Sequence, residues 1–283
     1  MSIDGKTRIL AVIGDPIEHT LSPFIHNTLC ERYGLNFVYI PLHVKPEALP
    51  QAMAGMRAMQ FVGANVTIPH KSSMLACMDE VSEEAQATGA VNTVKITDGK
   101  LIGHSTDGMG FMRALARKGV SVKGKSILLY GAGGASQSLA VRLASEGVAR
   151  IVLLNRTLEK AQAIKAVVDH IQPNLVQVDN IAQVDNYLSE TDVFIHTTPI
   201  GMYPSMDACI TVDLKKLPPH AVVCDLIYNP SETKLLEQAR QLGYSTMNGW
   251  GMLYYQAVQA FEIWTGITVD TFIENPYETR SIV

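Results

Sequence analysis

Ser126-Ile127-Leu128-Leu129-Tyr130-Gly131-Ala132-Gly133-Gly134-Ala135-Ser136 is a short apolar run that breaks into a glycine turn and then into small residues. The aliphatic run suits a strand buried on both faces. Its glycines permit a tight turn and let backbone N–H groups approach a phosphate at a helix N-terminus. A strand, a glycine loop and a helix in that order form the context that a dinucleotide fingerprint requires. Ser136 stands where a third Gly or Ala is usual, and a glycine turn that only joins a strand to a helix would read the same locally.

The sequence on either side favours the binding reading. A helix over Ser136 to Glu146 and a strand over Arg150 to Leu154 complete one βαβ unit. The second strand ends in Asn155-Arg156-Thr157, with no Asp or Glu to accept bonds from a ribose 2′-hydroxyl. Arg156 instead offers charge-assisted bonds to a 2′-phosphate, with Thr157 and Lys160 beside it, so NADP is expected rather than NAD. An exposed arginine at a strand end is the plainer alternative. Further strands at Leu175 to Val178, Val193 to Thr197 and Val222 to Asp225 extend this series, with helices at about Leu158 to Val168 and Thr233 to Leu242.

Upstream lies a second α/β series. Leu10 to Gly14, Phe37 to Leu42 and Ala64 to Ile68 read as strands, and Pro50 to Met59 as a helix with apolar Ala52, Met53 and Met56 at helical spacing. Ser22-Pro23 opens another helix, with serine suited to the cap and proline to the first turn. Alternation of this kind points to parallel sheets. Downstream of Gly243, Asn248-Gly249-Trp250-Gly251 precedes an amphipathic helix from about Met252 to Trp264, whose apolar stripe of Tyr254, Val258, Phe261 and Trp264 is a core face. The economical arrangement returns this helix to the first series: residues 1–107 and 245–283 form one domain and residues 108–244 a second domain inserted in it.

Composition narrows the function classes. The 283 residues suit about two domains at roughly 150 residues each. With 47 % hydrophobic and 18 % charged residues the chain can bury real cores. A net charge of −4 without long runs of either sign gives nucleic acid or a membrane surface no electrostatic purchase. No apolar stretch approaches the roughly 18 residues of a membrane span, and the N-terminus lacks signal-peptide character. Cys30, Cys77, Cys209 and Cys224 form neither a CxxC pair nor a metal cluster with histidine, so reduced thiols, a cytoplasmic location and no metal are expected.

Asn65-Val66-Thr67-Ile68-Pro69-His70-Lys71 and Ser105-Thr106-Asp107-Gly108 carry the candidate chemistry. Lys71 and Asp107 both follow extended runs, where polar side chains can face a cleft. Singly, such a lysine is usually a solvated charge and such an aspartate a turn or cap residue. As a pair they suit carbonyl reduction, in which hydride reaches carbon and the oxygen takes a proton: a lysine ammonium donates it and the aspartate orients the ammonium and a neighbouring hydroxyl. His26 and His70 read as packing or supporting groups.

In order along almost the whole chain these segments resemble the shikimate dehydrogenase family, including its quinate/shikimate members. The resemblance rests on Gly14 to Pro23, Asn65 to Lys71, Gly89-Ala90-Val91-Asn92-Thr93, Ser105 to Gly108, Gly131 to Ser136, Asn155-Arg156-Thr157 and Gly251-Met252-Leu253-Tyr254-Tyr255-Gln256. It implies an N-terminal α/β substrate domain plus a Rossmann-like doubly wound NADP-binding domain, and reversible hydride transfer at C3 of shikimate within aromatic amino-acid biosynthesis. By the same resemblance Lys71 and Asp107 are catalytic, Thr20 and Ser22 hold the substrate carboxylate, Thr67, Asn92, Asp107 and Gln256 bond ring hydroxyls, and Tyr228 closes the site near the carboxylate. Ser22 also fits an ordinary N-cap. At the cofactor it places Gly131, Ala132, Gly133, Gly134, Ala135, Asn155, Arg156, Thr157, Lys160, Gly249 and Met252.

Four positions depart from the family pattern: Thr20 replaces the commonest serine, His70 a common phenylalanine, Ser105 the usual asparagine and His196 an asparagine. A quinate/shikimate dehydrogenase using NAD or NADP is the neighbouring reading. A non-enzymatic NADP or metabolite sensor is the distant one. A small-molecule partner is expected on any of them, with the chain a monomer or homodimer.

Overall fold

A computed structural model describes residues 3–278. Two compact units divide it: one runs to Thr106 and includes Gln256–Thr271, the other comprises Asp107–Tyr255 and the segment from Phe272 onward.

The first unit contains β1 (Arg8–Gly14), α1 (Ser22–Arg32), β2 (Phe37–His43), α2 (Leu49–Ala58), β3 (Gly63–Val66), β4 (Glu80–Val81), α3 (Glu83–Thr88), β5 (Thr93–Thr97) and β6 (Lys100–His104). They build one sheet in the order β2-β1-β3-β5-β6-β4. β1 pairs in parallel with β2 and β3. β5 is antiparallel to both β3 and β6, so this sheet is mixed and not parallel as the alternation implied. A hairpin produces the reversal. Asp98 and Gly99 both take positive φ between the paired Thr97 and Lys100, as a two-residue turn of this kind demands. Ala11, Ile13, Met53, Met56, Val66 and Val94 belong to the core on one side of the sheet.

The second unit contains α4 (Asp107–Arg117), β7 (Ser126–Tyr130), α5 (Gly134–Ser145), β8 (Arg150–Asn155), α6 (Leu158–Asp169), β9 (Val176–Asn180), β10 (Val193–His196), β11 (Val222–Asp225), α7 (Lys234–Gln241) and β12 (Ser245–Met247). Its strands are all parallel, in the order β12-β11-β10-β7-β8-β9. Relabelled from β7 this is the doubly wound order 3-2-1-4-5-6, whose direction reverses between β7 and β10. Leu128, Val152, Phe194 and Val223 form the buried centre, which explains why these strands read as unbroken apolar runs.

The final helix α8 (Trp250–Thr265) is divided between the units after Tyr255. The boundary expected from the sequence, at residue 245, falls earlier than this division. β12 is the edge strand beside β11, and the first turns of α8 cluster with the same unit. Three residues, Ser245-Thr246-Met247, are too few to show a strand period in sequence. The segment from Phe272 also stays with the second unit: Trp250 Nε1 donates to the Ile273 carbonyl at 2.9 Å, and the Arg117 guanidinium lies 4.0 Å from the Phe272 ring centre.

Candidate active site

In the first unit, Thr67 continues the pairing of β3 for one residue, its N–H donating to the Ile13 carbonyl at 2.9 Å. The chain then turns, and His70 N–H donates to the Thr67 carbonyl at 2.9 Å. His70 is buried, and its Nε2 bonds the Val44 carbonyl at 2.6 Å, so it donates there. Lys71 is held on its other side, where its carbonyl accepts Val91 N–H at 2.9 Å. The half-buried Lys71 thus leaves a backbone fixed at both flanks. His70 is a packing and anchoring group, and a ring at this position serves that purpose in a way its usual phenylalanine could do only through packing.

A connected set of buried polar groups lies in the same unit. Tyr39 Oη donates to Asn65 Oδ1 at 2.7 Å, and Asn65 Nδ2 donates to Thr93 Oγ1 at 3.1 Å. Asn92 Oδ1 accepts from Thr106 N–H at 2.9 Å, while Asn92 Nδ2 donates to Thr106 Oγ1 at 2.9 Å and reaches Gln256 Oε1 at 3.5 Å. Asn92, Thr106 and Gln256 are therefore brought together although 164 positions separate the first from the last. Burial pushes the Tyr39 phenol well above its ordinary value, with its hydrogen bond to the Ser22 hydroxyl acting the other way. Tyr39 connects Ser22 to the amides; its place inside a strand run gave no sign of this.

Ser22 does not cap α1. Leu21 holds the cap position without a side-chain bond, and Ser22 is the first helical residue, its N–H donating to Thr20 Oγ1 at 3.3 Å. Pro23 in the first turn has no N–H to satisfy, which reduces the need for a cap. Asp107 likewise differs from a strand-end residue: it is buried and opens α4, the one acidic residue in that helix's first turn. Lys71 belongs to the first unit and Asp107 to the second.

The glycine turn of the second unit follows β7 directly. Gly131 has φ +118°, a region L-residues rarely adopt, and a Cβ there would lie 2.8 Å from Thr198 Cγ2. Gly131 N–H donates to the Leu154 carbonyl at 2.8 Å, and Ala132 N–H to Asn155 Oδ1 at 3.2 Å. Asn155 also donates to the Thr157 carbonyl at 2.8 Å, so it ties the turn to the end of β8. Ser136 is fully buried and donates to the Gly131 carbonyl at 2.7 Å. A hydroxyl thus does the work of close packing at the third fingerprint position.

A cavity of about 210 Å³ opens beside this turn, lined by Gly131, Ala132, Gly133, Asn155, Arg156, Thr157, Lys160 and Thr197–Pro199. Gly133 precedes α5, whose first N–H groups have no partner within the helix, and Gly133 and Gly134 are exposed. Arg156 and Lys160 are exposed, and among the described residues no acidic side chain pairs with Arg156. A helix N-terminus and two cations around a concave surface fit a phosphate-bearing nucleotide. No local sequence signal marks Thr197, Thr198 and Pro199 as cavity residues. They enter because β10 pairs with β7 across the reversal point, the place where ligands sit in such sheets.

Tyr228, Gly249 and Met252 are in this unit but do not line that cavity. Tyr228 is partly buried, its phenol pushed up by burial and by Tyr277. Gly249 donates to the Ile227 carbonyl at 2.9 Å, placing the start of α8 against the loop that carries Tyr228. No group of three or more His, Cys, Asp or Glu side chains among the described residues is arranged to hold a metal ion. No helix among them is long and apolar enough to cross a membrane.

A doubly wound sheet with this turn in one unit, and a mixed sheet with clustered amides and hydroxyls in the other, define a two-unit α/β protein of the dinucleotide-dependent dehydrogenase class. Three family models match it in order: the shikimate dehydrogenase substrate binding domain over residues 12–94, shikimate / quinate 5-dehydrogenase over 114–203, and the shikimate 5′-dehydrogenase C-terminal domain over 249–271. The chain is 44 % identical over 266 residues to a shikimate dehydrogenase (NADP(+)) of Methanocaldococcus jannaschii, covering 94 % of each. A crystal structure of a shikimate dehydrogenase in complex with NADP+ superposes with a TM-score of 0.88 at 44 % identity, covering 94 % of this chain and 93 % of that one. The Listeria monocytogenes shikimate 5-dehydrogenase in complex with shikimate and NAD gives 0.90 at 35 % identity, with 99 % and 96 % covered. The chain belongs to the shikimate dehydrogenase family.

Proposed function

We propose that the chain interconverts shikimate and 3-dehydroshikimate with NADP, moving a hydride between C3 of the substrate and the nicotinamide in aromatic amino-acid biosynthesis. The observation that carries this reading is the alignment of 94 % of the chain with an NADP(+)-dependent relative that has the same shikimate activity in its name. Arg156, exposed at the end of β8 where an acidic residue would favour NAD, supports the cofactor choice. NADPH supplies the hydride when bound.

The residues divide the remaining work. Lys71 donates a proton to the C3 oxygen as the carbonyl is reduced and takes it back in oxidation. Asp107 orients that ammonium and accepts a bond from the adjacent ring hydroxyl. Thr67, Asn92 and Gln256 bond ring hydroxyls, and Thr20 and Ser22 take the carboxylate through hydroxyl bonds near the start of α1. The bond from the Ser22 backbone N–H to the Thr20 hydroxyl supports the last pairing, since it holds the Thr20 side chain at the helix end where Ser22 stands. Tyr228 closes on the carboxylate.

On the cofactor, Gly131–Ala135 receive the pyrophosphate, Asn155 holds their turn, and Arg156, Thr157 and Lys160 receive the 2′-phosphate. Gly249 and Met252 contact it outside that cavity. The substrate unit comprises residues 1–106 with Gln256–Thr271, and the NADP unit the rest. The chain works in the cytoplasm as a monomer or homodimer.

Absorbance in the nicotinamide band, followed with shikimate and quinate against NADP and NAD, tests the reading. Shikimate with NADP gives the highest kcat/KM, and Arg156→Ala narrows the advantage of NADP over NAD. Quinate with NAD as the best pairing would replace the proposal with its quinate/shikimate neighbour, and cofactor binding without turnover in any pairing would favour a sensor.

A further inference from the structure

A buried cluster in the second unit takes no part in the chemistry above. His196 ends β10 and Asp225 ends β11; they are register partners in adjacent parallel strands and are 0 % and 1 % exposed. His196 Nδ1 lies 3.1 Å from Asp225 Oδ1, and its Nε2 bonds the Thr198 hydroxyl. Asp225 also accepts from Ile227 N–H at 3.0 Å and from the Thr233 hydroxyl at 2.7 Å, so it is an acceptor on every side.

Those roles set the direction of the bonds. Nδ1 carries a proton toward the carboxylate, and in the neutral imidazole Nε2 is then an acceptor. The Thr198 hydroxyl therefore donates to Nε2, and its oxygen accepts Ile200 N–H at 3.3 Å. Its hydrogen and one acceptor site are committed to the protein, and its methyl is the atom that approaches Gly131. Thr197 is committed similarly, donating to the Tyr130 carbonyl at 3.1 Å.

We propose that His196 is a positioning residue for the nucleotide: with Asp225 it locks Thr198 so that the Thr197–Pro199 wall of the phosphate cavity is held rigid beside the Gly131 turn. The same carboxylate holds Ile227, next to Tyr228, so one buried pair fixes both the nucleotide wall and the start of the Tyr228 loop. This rests on the NADP reading of the cavity. The departure of His196 from the family's asparagine acquires a purpose: an imidazole presents two nitrogens on opposite sides and spans two partners.

Isothermal titration of NADP+ into the protein without shikimate tests it, using His196→Ala, Thr198→Val and the acceptor-retaining His196→Gln. Losing one net hydrogen bond at the wall weakens NADP+ about three- to tenfold in His196→Ala and Thr198→Val. His196→Gln, whose amide oxygen reaches the place of Nε2 and accepts from the Thr198 hydroxyl, recovers affinity to within about twofold of the wild type. Hydrogen exchange at the Ile200 amide accelerates in the first two variants, and kcat at saturating NADP stays within about twofold of the wild type in His196→Ala, whose side chain lies behind the wall. Wild-type NADP+ affinity in both His196→Ala and Thr198→Val would overturn the proposal. If His196→Ala does not fold, the near-isosteric Thr198→Val decides. Failure of the NADP reading is separately visible, because the wild type itself would then not bind NADP+.

Discussion

Lys71 is set by its neighbours more than by its own contacts with solvent. The His70 ring on the Val44 carbonyl and the Val91 amide on the Lys71 carbonyl fix the backbone from which its side chain projects. If, as proposed, Lys71 is the proton donor, it contributes through its placement, and Lys71→Ala lowers kcat by about 10²- to 10⁴-fold while raising the KM for shikimate far less. Steady-state rates at saturating NADP check this, and a kcat within threefold of the wild type would remove Lys71 from proton transfer. Arg156 and the glycine turn were legible in sequence because a strand, three glycines and a strand-end residue are local signals. Thr197 and Thr198 were not, since their place beside Gly131 depends on β10 pairing with β7, where Thr197 reaches the Tyr130 carbonyl across 67 positions.

At the scale of elements, the parallel second sheet was readable because strands buried on both faces leave apolar runs. The hairpin of β5 and β6 was missed, although Asp98-Gly99 is a strong two-residue turn signal, because Thr-Val-Lys-Ile-Thr and Lys-Leu-Ile-Gly-His are short and flanked by polar residues. β5 fastens α8 to the first unit: Trp264 Nε1 donates to the Val94 carbonyl at 2.9 Å. Gly63 of β3 lies against that bond, and a Cβ there would overlap both the indole nitrogen and the carbonyl. Gly63→Ala therefore destabilises the protein by about 1–3 kcal/mol, as overpacking does. Urea denaturation followed by tryptophan fluorescence measures it, and an unchanged midpoint would mean that α8 is not held by this contact.

For the whole molecule, the response to acid is set partly by His26. It is fully buried, stacked on Tyr39 at 4.3 Å, and among the described residues neither ring nitrogen has a partner at hydrogen-bonding geometry. Burial lowers its pKa from 6.5 to about 3, and the nearby Asn65 offsets only part of that. The unfolded chain binds this proton from about pH 6.5 downward and the folded chain does not until about pH 3. Stability is thus unaffected above pH 6.5 and falls as the pH drops through that window. Between pH 7 and pH 5 the loss attributable to this ring is about 2 kcal/mol. His26→Phe, which keeps an aromatic ring against Tyr39, abolishes that share; identical stability-versus-pH curves for the two proteins would contradict it.

Two units, one with clustered amides and hydroxyls and one with a phosphate-fitting turn, have a single chemical purpose on this account: hydride passes between C3 of shikimate and the nicotinamide of NADP. Oxidation of shikimate carrying deuterium at C3, with NADP+ as acceptor and the products read by mass spectrometry, tests this most directly. The account predicts 3-dehydroshikimate together with NADPH heavier by one deuterium. Unlabelled NADPH, or label retained in the oxidised substrate, would contradict it.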